Sequence, residues 1–175
     1  MKIKVSAPAL LLSLALTTLT GCSMSDAKDS DGPPFAGVST TSRATDTTQK
    51  VSSELYDLMG LKGKATRPGP GVMECSGKDP EKYFTTFHSW TFTPASPGEL
   101  DGVMERLRKE LPGHGWKVVG FEPDSSRNKN LTLTADNDAE KHSVKITHWA
   151  KDQPPKLNFF VVSGCYQVPD GEKAG

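Results

Sequence analysis

No excess of either charge marks this chain: Lys+Arg and Asp+Glu both number 21. A basic footprint for nucleic acid is therefore missing, as is an acidic run for a cationic partner. Residues 1–21 hold two of the lysines, Lys2 and Lys4, and no carboxylate, so the rest of the chain carries a balance of −2. Neither H-E-x-x-H nor C-x-x-C occurs among 4 histidines and 3 cysteines, which removes the common zinc and dithiol patterns. His142 and His148 fall on one face of an expected strand, but six residues at ~3.3 Å each separate them by about 20 Å. His88 and His114 stand apart from both. Asp136, Asp138 and Glu140 lack the glycine and the distant glutamate of a calcium loop. A G-x-S-x-G elbow is absent too, and the glycines of 66–71 are not followed by Gly-Lys-Ser/Thr. Ser126-Arg127-Asn128-Lys129 matches S-x-x-K, yet it lies in an expected turn with no Lys-Thr-Gly after it. No catalytic residue, metal ligand or cofactor is assigned.

Long apolar runs are also missing, with one short exception at the N-terminus. Lys2 and Lys4 precede a mostly apolar stretch from Val5 to Leu19, followed by Thr20, Gly21 and Cys22. This is the order of a secretory signal: positive start, apolar middle, small residues before a cut. The run, about 15 residues, is short of the ~18 that a spanning helix needs. Leu19-Thr20-Gly21-Cys22 resembles the lipobox of bacterial lipoproteins. That resemblance implies a diacylglyceryl group on the sulfur of Cys22, cleavage between Gly21 and Cys22, and a mature chain that begins at the acylated cysteine. It places the protein at the cell membrane, lipid-anchored and facing the extracytoplasmic side. In outline the chain resembles small lipoproteins of actinobacteria: lipobox, polar tether, helix, then sheet with a late Ser163-Gly164-Cys165. The likeness brings no activity with it.

Apolar residues are scarce overall, at 35%, and much of the deficit sits between Ser23 and Arg43. Ser, Thr, Asp, Gly and Pro dominate there, too little to bury against the entropy of ordering. Residues 22–44 are read as a disordered tether, which at about 22 residues spans roughly 25 Å. One domain follows over 45–169, and 170–175 is read as a disordered tail. Thr45 and Asp46 are N-cap types, and Val51, Leu55, Leu58 and Met59 recur at helical spacing. A helix is predicted over 46–60, then a loop at 66–71. Ser96-Pro97-Gly98-Glu99 reads as a capping box ahead of the stripe Leu100, Val103, Met104, Leu107 and Leu111.

Five strands are predicted, over 83–93, 116–122, 130–136, 142–149 and 157–167, from period-2 alternation and enrichment in aromatic and β-branched residues. Phe84, Thr86, His88, Trp90 and Phe92 share one face of the first. The fold class is α+β: an antiparallel sheet of about five strands with two helices mainly on one face. The last strand is apolar on both faces. Phe160 and Val162, with Trp149 nearby, are therefore candidates for contact with a ligand or partner on the uncovered face.

Cys75 and Cys165 lie outside the lipobox. In an oxidising compartment they are expected to pair. The function these observations favour is a non-enzymatic envelope module that binds a partner protein or small ligand. A lipid or glycolipid carrier is the alternative and requires an apolar cavity of about 300 Å³ or more. An envelope enzyme is a third.

Overall fold

The computed structural model describes residues 32–174, residue 67 excepted. The expected leader over 1–21, the expected lipidation at Cys22 and the expected tether as far as residue 31 lie outside the described residues. Among the described residues no helix is long and apolar enough to cross a membrane.

Ordered elements occupy part of the tether expected over 22–44. Phe35–Val38 forms strand β1, and helix α1 spans Thr41–Met59, five residues ahead of its predicted start. The N-cap is Thr40, whose side chain accepts from the backbone N–H of Arg43 at 3.2 Å. Hydroxyl-rich sequence is a poor helix former because its side chains compete for backbone groups. Here that competition is absorbed within the helix: Thr45 and Thr47 donate to the carbonyls of Thr41 and Arg43 at 3.0 Å. The buried stripe of α1 is Ala44, Thr48, Val51, Ser52, Leu55 and Met59. Two of those six are polar. Gly60, at φ +63°, ends the helix in the left-handed conformation that favours glycine.

Among the described residues the sheet has nine strands and is mixed, not five and antiparallel. Beside β1 they are β2 (Gly63–Ala65), β3 (Gly71–Glu74), β4 (Tyr83–Pro94), β5 (Lys117–Pro123), β6 (Leu131–Asn137), β7 (His142–Trp149), β8 (Lys156–Ser163) and β9 (Cys165–Gln167). The order is β1-β9-β4-β8-β7-β6-β5, with β2 and β3 both paired to β4. Three causes account for the difference. Gly164 splits the expected last strand into β8 and β9. The short β2 and β3 lack a period of their own and exist by pairing with the 12-residue β4. β1 adds to β9 in parallel, which makes the sheet mixed.

The predicted capping box does not form. Ser96 makes no side-chain cap bond, and Pro97–Leu100 is a single 3-10 turn. Helix α2 begins after Gly102, at φ +68°, and spans Val103–Glu110. The stripe survives the break: Leu100, Val103, Met104, Leu107 and Leu111 are all buried. They join Val51, Leu55 and Met59 of α1 against Phe92, Ile146, Leu157 and Phe159 of the sheet. Each fully buried large apolar side chain contributes roughly 1.5–3 kcal/mol. Both helices thus lie on one face of the sheet.

Cys75 and Cys165 form a disulfide, with Cα atoms 5.8 Å apart across 90 residues of sequence. The expected tail is also held. The backbone N–H of Ala174 donates to the carbonyl of Glu81 at 3.0 Å, and Lys173 pairs with Glu81 at 3.0 Å.

Candidate functional site

Helix α1 runs beside β4, and their repeats match. Positions 48, 52 and 56 step by about 6 Å along a helix. Positions 86, 88 and 90 step by about 6.8 Å along a strand. The two elements therefore meet in three rungs.

The first rung is filled by hydrogen bonds. Thr48 Oγ1 lies 2.6 Å from Thr86 Oγ1 and 2.9 Å from His142 Nε2. His142 Nδ1 is 2.7 Å from the carbonyl of Glu140, so that nitrogen donates. In the neutral ring Nε2 then accepts from the Thr48 hydroxyl. Burial pushes the His142 pKa below its ordinary value, opposed by the Glu140 backbone bond and the Glu140 charge. The third rung is filled by rings. Tyr56 stands 6.0 Å from Trp90 and 6.1 Å from Phe92, and Trp90 lies flat on Phe159 at 4.0 Å.

The middle rung, Ser52 with His88, is left open. Among the described residues, Ser52 Oγ, His88 Nδ1 and Trp90 Nε1 are buried and have no hydrogen-bond partner. Their residues are 2%, 5% and 4% exposed. All three line one cavity of about 410 Å³, with Tyr56 beside them and Gln49 and Asp57 at the α1 side. A volume in the range ~300–1,000 Å³ is usual for small-molecule sites.

The opening has a cause in the sequence. The outer edge of β4 pairs with β3 over Phe84–Phe87 and with β2 over Phe92–Pro94. Between them the chain leaves the edge, since Pro68 and Pro70 have no N–H to contribute. Thr66 still exchanges bonds with Thr91, its N–H donating to the Thr91 carbonyl and its Oγ1 accepting from the Thr91 N–H, both at 2.9 Å. His88 Nε2 donates to the carbonyl of Pro68 at 2.7 Å. The loop is thereby tied above the cavity. Because Nε2 holds a hydrogen, Nδ1 of the neutral ring is an acceptor. Trp90 Nε1 is a donor only, and the Ser52 hydroxyl is either. A buried polar group without a partner costs roughly 1–3 kcal/mol.

The residues singled out on the opposite face do not form one patch. Phe160 and Val162 project there, both half-buried, and Phe160 stacks on Phe87 with centroids 6.1 Å apart. Trp149 pairs with Lys156, four residues along β8 from Phe160, about 13 Å away at ~3.3 Å per residue. Thr147 and Asn158 lie in the rung between. Trp149 is covered instead by Lys156, whose Nζ sits 5.5 Å from the ring centroid. Neither helix packs on this face.

A second cavity of about 410 Å³ opens at the end of that face, among Met73, Thr85, Asp136, Ser143, Val162 and Pro34. Among the described residues its lining includes one residue with an unpartnered buried atom, Thr85, against three in the α1–β4 cleft. Among the described residues no group of three or more His, Cys, Asp or Glu could hold a metal ion. Ser126 sits in a turn closed on Asp124 Oδ1, which accepts from the backbone N–H and hydroxyl of Ser126 and the backbone N–H of Asn130. That is a loop staple.

No family model, curated protein or solved structure matches the chain.

The face carrying His88 and Trp90 was legible in the alternation of β4. Ser52 was not. It reads as one polar residue on a helix, and only docking of α1 on β4 sets it beside His88.

Proposed function

We propose that this chain is a lipid-anchored, extracytoplasmic binding module whose ligand site is the cleft between α1 and β4. The observation that carries the reading is one cavity of about 410 Å³ lined by Ser52, His88 and Trp90, each of which holds a buried polar atom with no partner among the described residues. Each such atom costs the folded chain roughly 1–3 kcal/mol, which a ligand that opens the packing over it and bonds to it returns. Binding is favoured over catalysis by the same geometry. The Ser52 hydroxyl and His88 Nδ1 each lack a partner, so they do not bond each other, and no base activates the serine. The polar side chains in the lining, Gln49, Ser52, Ser53 and Asp57 among them, favour a ligand with polar atoms over a bare acyl chain, which ranks the lipid carrier second. The address rests on the lipobox: two or three acyl chains at ~0.8 kcal/mol per buried CH₂ hold a domain at a bilayer.

The test is thermal unfolding of the full chain in detergent across a library of small polar compounds. A compound at 100 times its Kd adds about 2.7 kcal/mol. Compounds that raise the midpoint of the wild type, and fail to do so for Trp90→Phe, support the cleft. A library with no stabilising compound, or stabilisers indifferent to Trp90→Phe, refutes it.

A further inference from the structure

We infer that the end of the sheet carrying β1 rests against the lipid bilayer, with Phe35 and Val38 as the inserting side chains. This inference rests on the lipid anchor of the proposed function and adds which surface of the domain meets the membrane. Gly32 is ten residues after Cys22, so at most about 35 Å of chain separates them even when fully extended. β1 begins three residues later. An anchored chain thus holds β1 within reach of the lipid surface. A contact too weak to bind a free domain is populated there, because it forms within an already attached molecule.

The shape of β1 brings its apolar side chains to one face. Ala36 turns to the helix side, where it packs with Ala44, Phe84 and Tyr166. Plain alternation would send Val38 the same way. A bulge intervenes, with Gly37 at φ +108°. Phe35 pairs with Cys165 and Val38 with Gln167, residues two apart on β9 and hence on one face. Phe35 and Val38 therefore both stand on the face away from the helices, 57% and 61% exposed. Met73, 40% exposed, joins them: it lies two residues before Cys75, whose disulfide reaches Cys165 beside Phe35. Gln167 also pairs with Tyr83, whose ring lies 5.7 Å from Lys78 Nζ. Apolar tips beside a tyrosine and a lysine suit a membrane interface, where the phenol and the ammonium sit at headgroup level while the apolar groups go deeper.

The test places the lipid-modified full chain in vesicles of phosphatidylethanolamine and phosphatidylglycerol in equal parts, with bromine on the acyl chains. Bromine there quenches a tryptophan that reaches the bilayer interior. Phe35→Trp adds one indole to the three of the wild type. Val119→Trp is the control, since Val119 is 51% exposed on β5 at the far edge of the sheet. The added fluorescence of Phe35→Trp is expected to be quenched, and that quenching lost when Val38→Asp is combined with it. Val119→Trp is expected to stay unquenched. Val38→Trp is a second reporter on the same face, with the same expected result as Phe35→Trp. Flotation of the same vesicles reads the anchor separately. Protein that floats with the vesicles while the Phe35 and Val38 reporters are quenched no more than Val119→Trp overturns the contact and leaves the anchor standing. Quenching of Phe35→Trp that Val38→Asp does not change overturns the role given to Val38. Protein that stays off the vesicles overturns the anchor and the contact with it.

Discussion

Two side chains carry most of what can be tested at the residue scale, Ser52 and His142. Ser52 is buried in α1 with no partner for its hydroxyl. Ser52→Ala removes an unpaired polar atom and places the best helix former in a helix interior. The expected outcome is a ligand-free protein more stable by about 1 kcal/mol in urea denaturation. A loss of stability would mean that the hydroxyl supports the fold. His142 bears on pH. Burial lowers its pKa in the folded state, and burial also lowers that of His148, against the Asp101 charge. The unfolded value is 6.5. Above it both states are neutral and the full stability is present. As pH falls below it, the unfolded chain takes up protons first, so stability declines toward the folded pKa. Urea midpoints are expected to fall between pH 7 and pH 5, and His142→Gln to flatten that fall. Asp124, held below its ordinary 3.8 chiefly by the Ser126 hydroxyl, titrates under this range. A flat wild-type profile would contradict the neutral, bonded state of His142.

At the scale of elements, the close approach at Gly164 explains how β1 joins the sheet. A Cβ there would strike the Pro34 carbonyl oxygen and come within 3.3 Å of the Ala36 Cβ. Gly164→Ala should therefore loosen β1 from β9 while α1 and β4 stay protected. Hydrogen exchange reads this directly: faster amides at Phe35–Val38, unchanged amides in β4. Equal protection everywhere would show that β1 tolerates the methyl. The elements also show what the sequence made legible. Strands β4 to β8 and the stripe of α2 were readable because alternation and 3.6-periodicity are local. Strands β1, β2 and β3 were not, because three or four residues set no period and take their state from an existing edge. The early start of α1 was hidden because Thr and Ser read as tether until their hydroxyls find carbonyls one turn back. His88 and Trp90 were readable as one face, whereas the Pro68–Pro70 departure from the β4 edge that opens the site depends on pairing either side of it.

For the whole molecule, the Cys75–Cys165 bond closes a loop of 90 residues. In the chain-entropy description such a loop stabilises by about 4–5 kcal/mol. Cys75→Ala with Cys165→Ala should lower the unfolding free energy by that order. A change under about 1 kcal/mol would show that the unfolded chain is already compact. Cys22→Ser tests the address: the protein should leave the membrane fraction, and full retention would contradict the lipid anchor. In the function proposed, anchor and cleft make one arrangement, a binding site held outside a membrane. That arrangement depends most on the open rung between α1 and β4. The indole N–H resonance of Trp90, assigned through Trp90→Phe and followed by NMR as a stabilising compound is added to the full chain, tests it most directly. A saturable downfield shift, weakened by Ser52→Ala, is the expected result. A resonance that stays in place while the compound saturates the protein would contradict it.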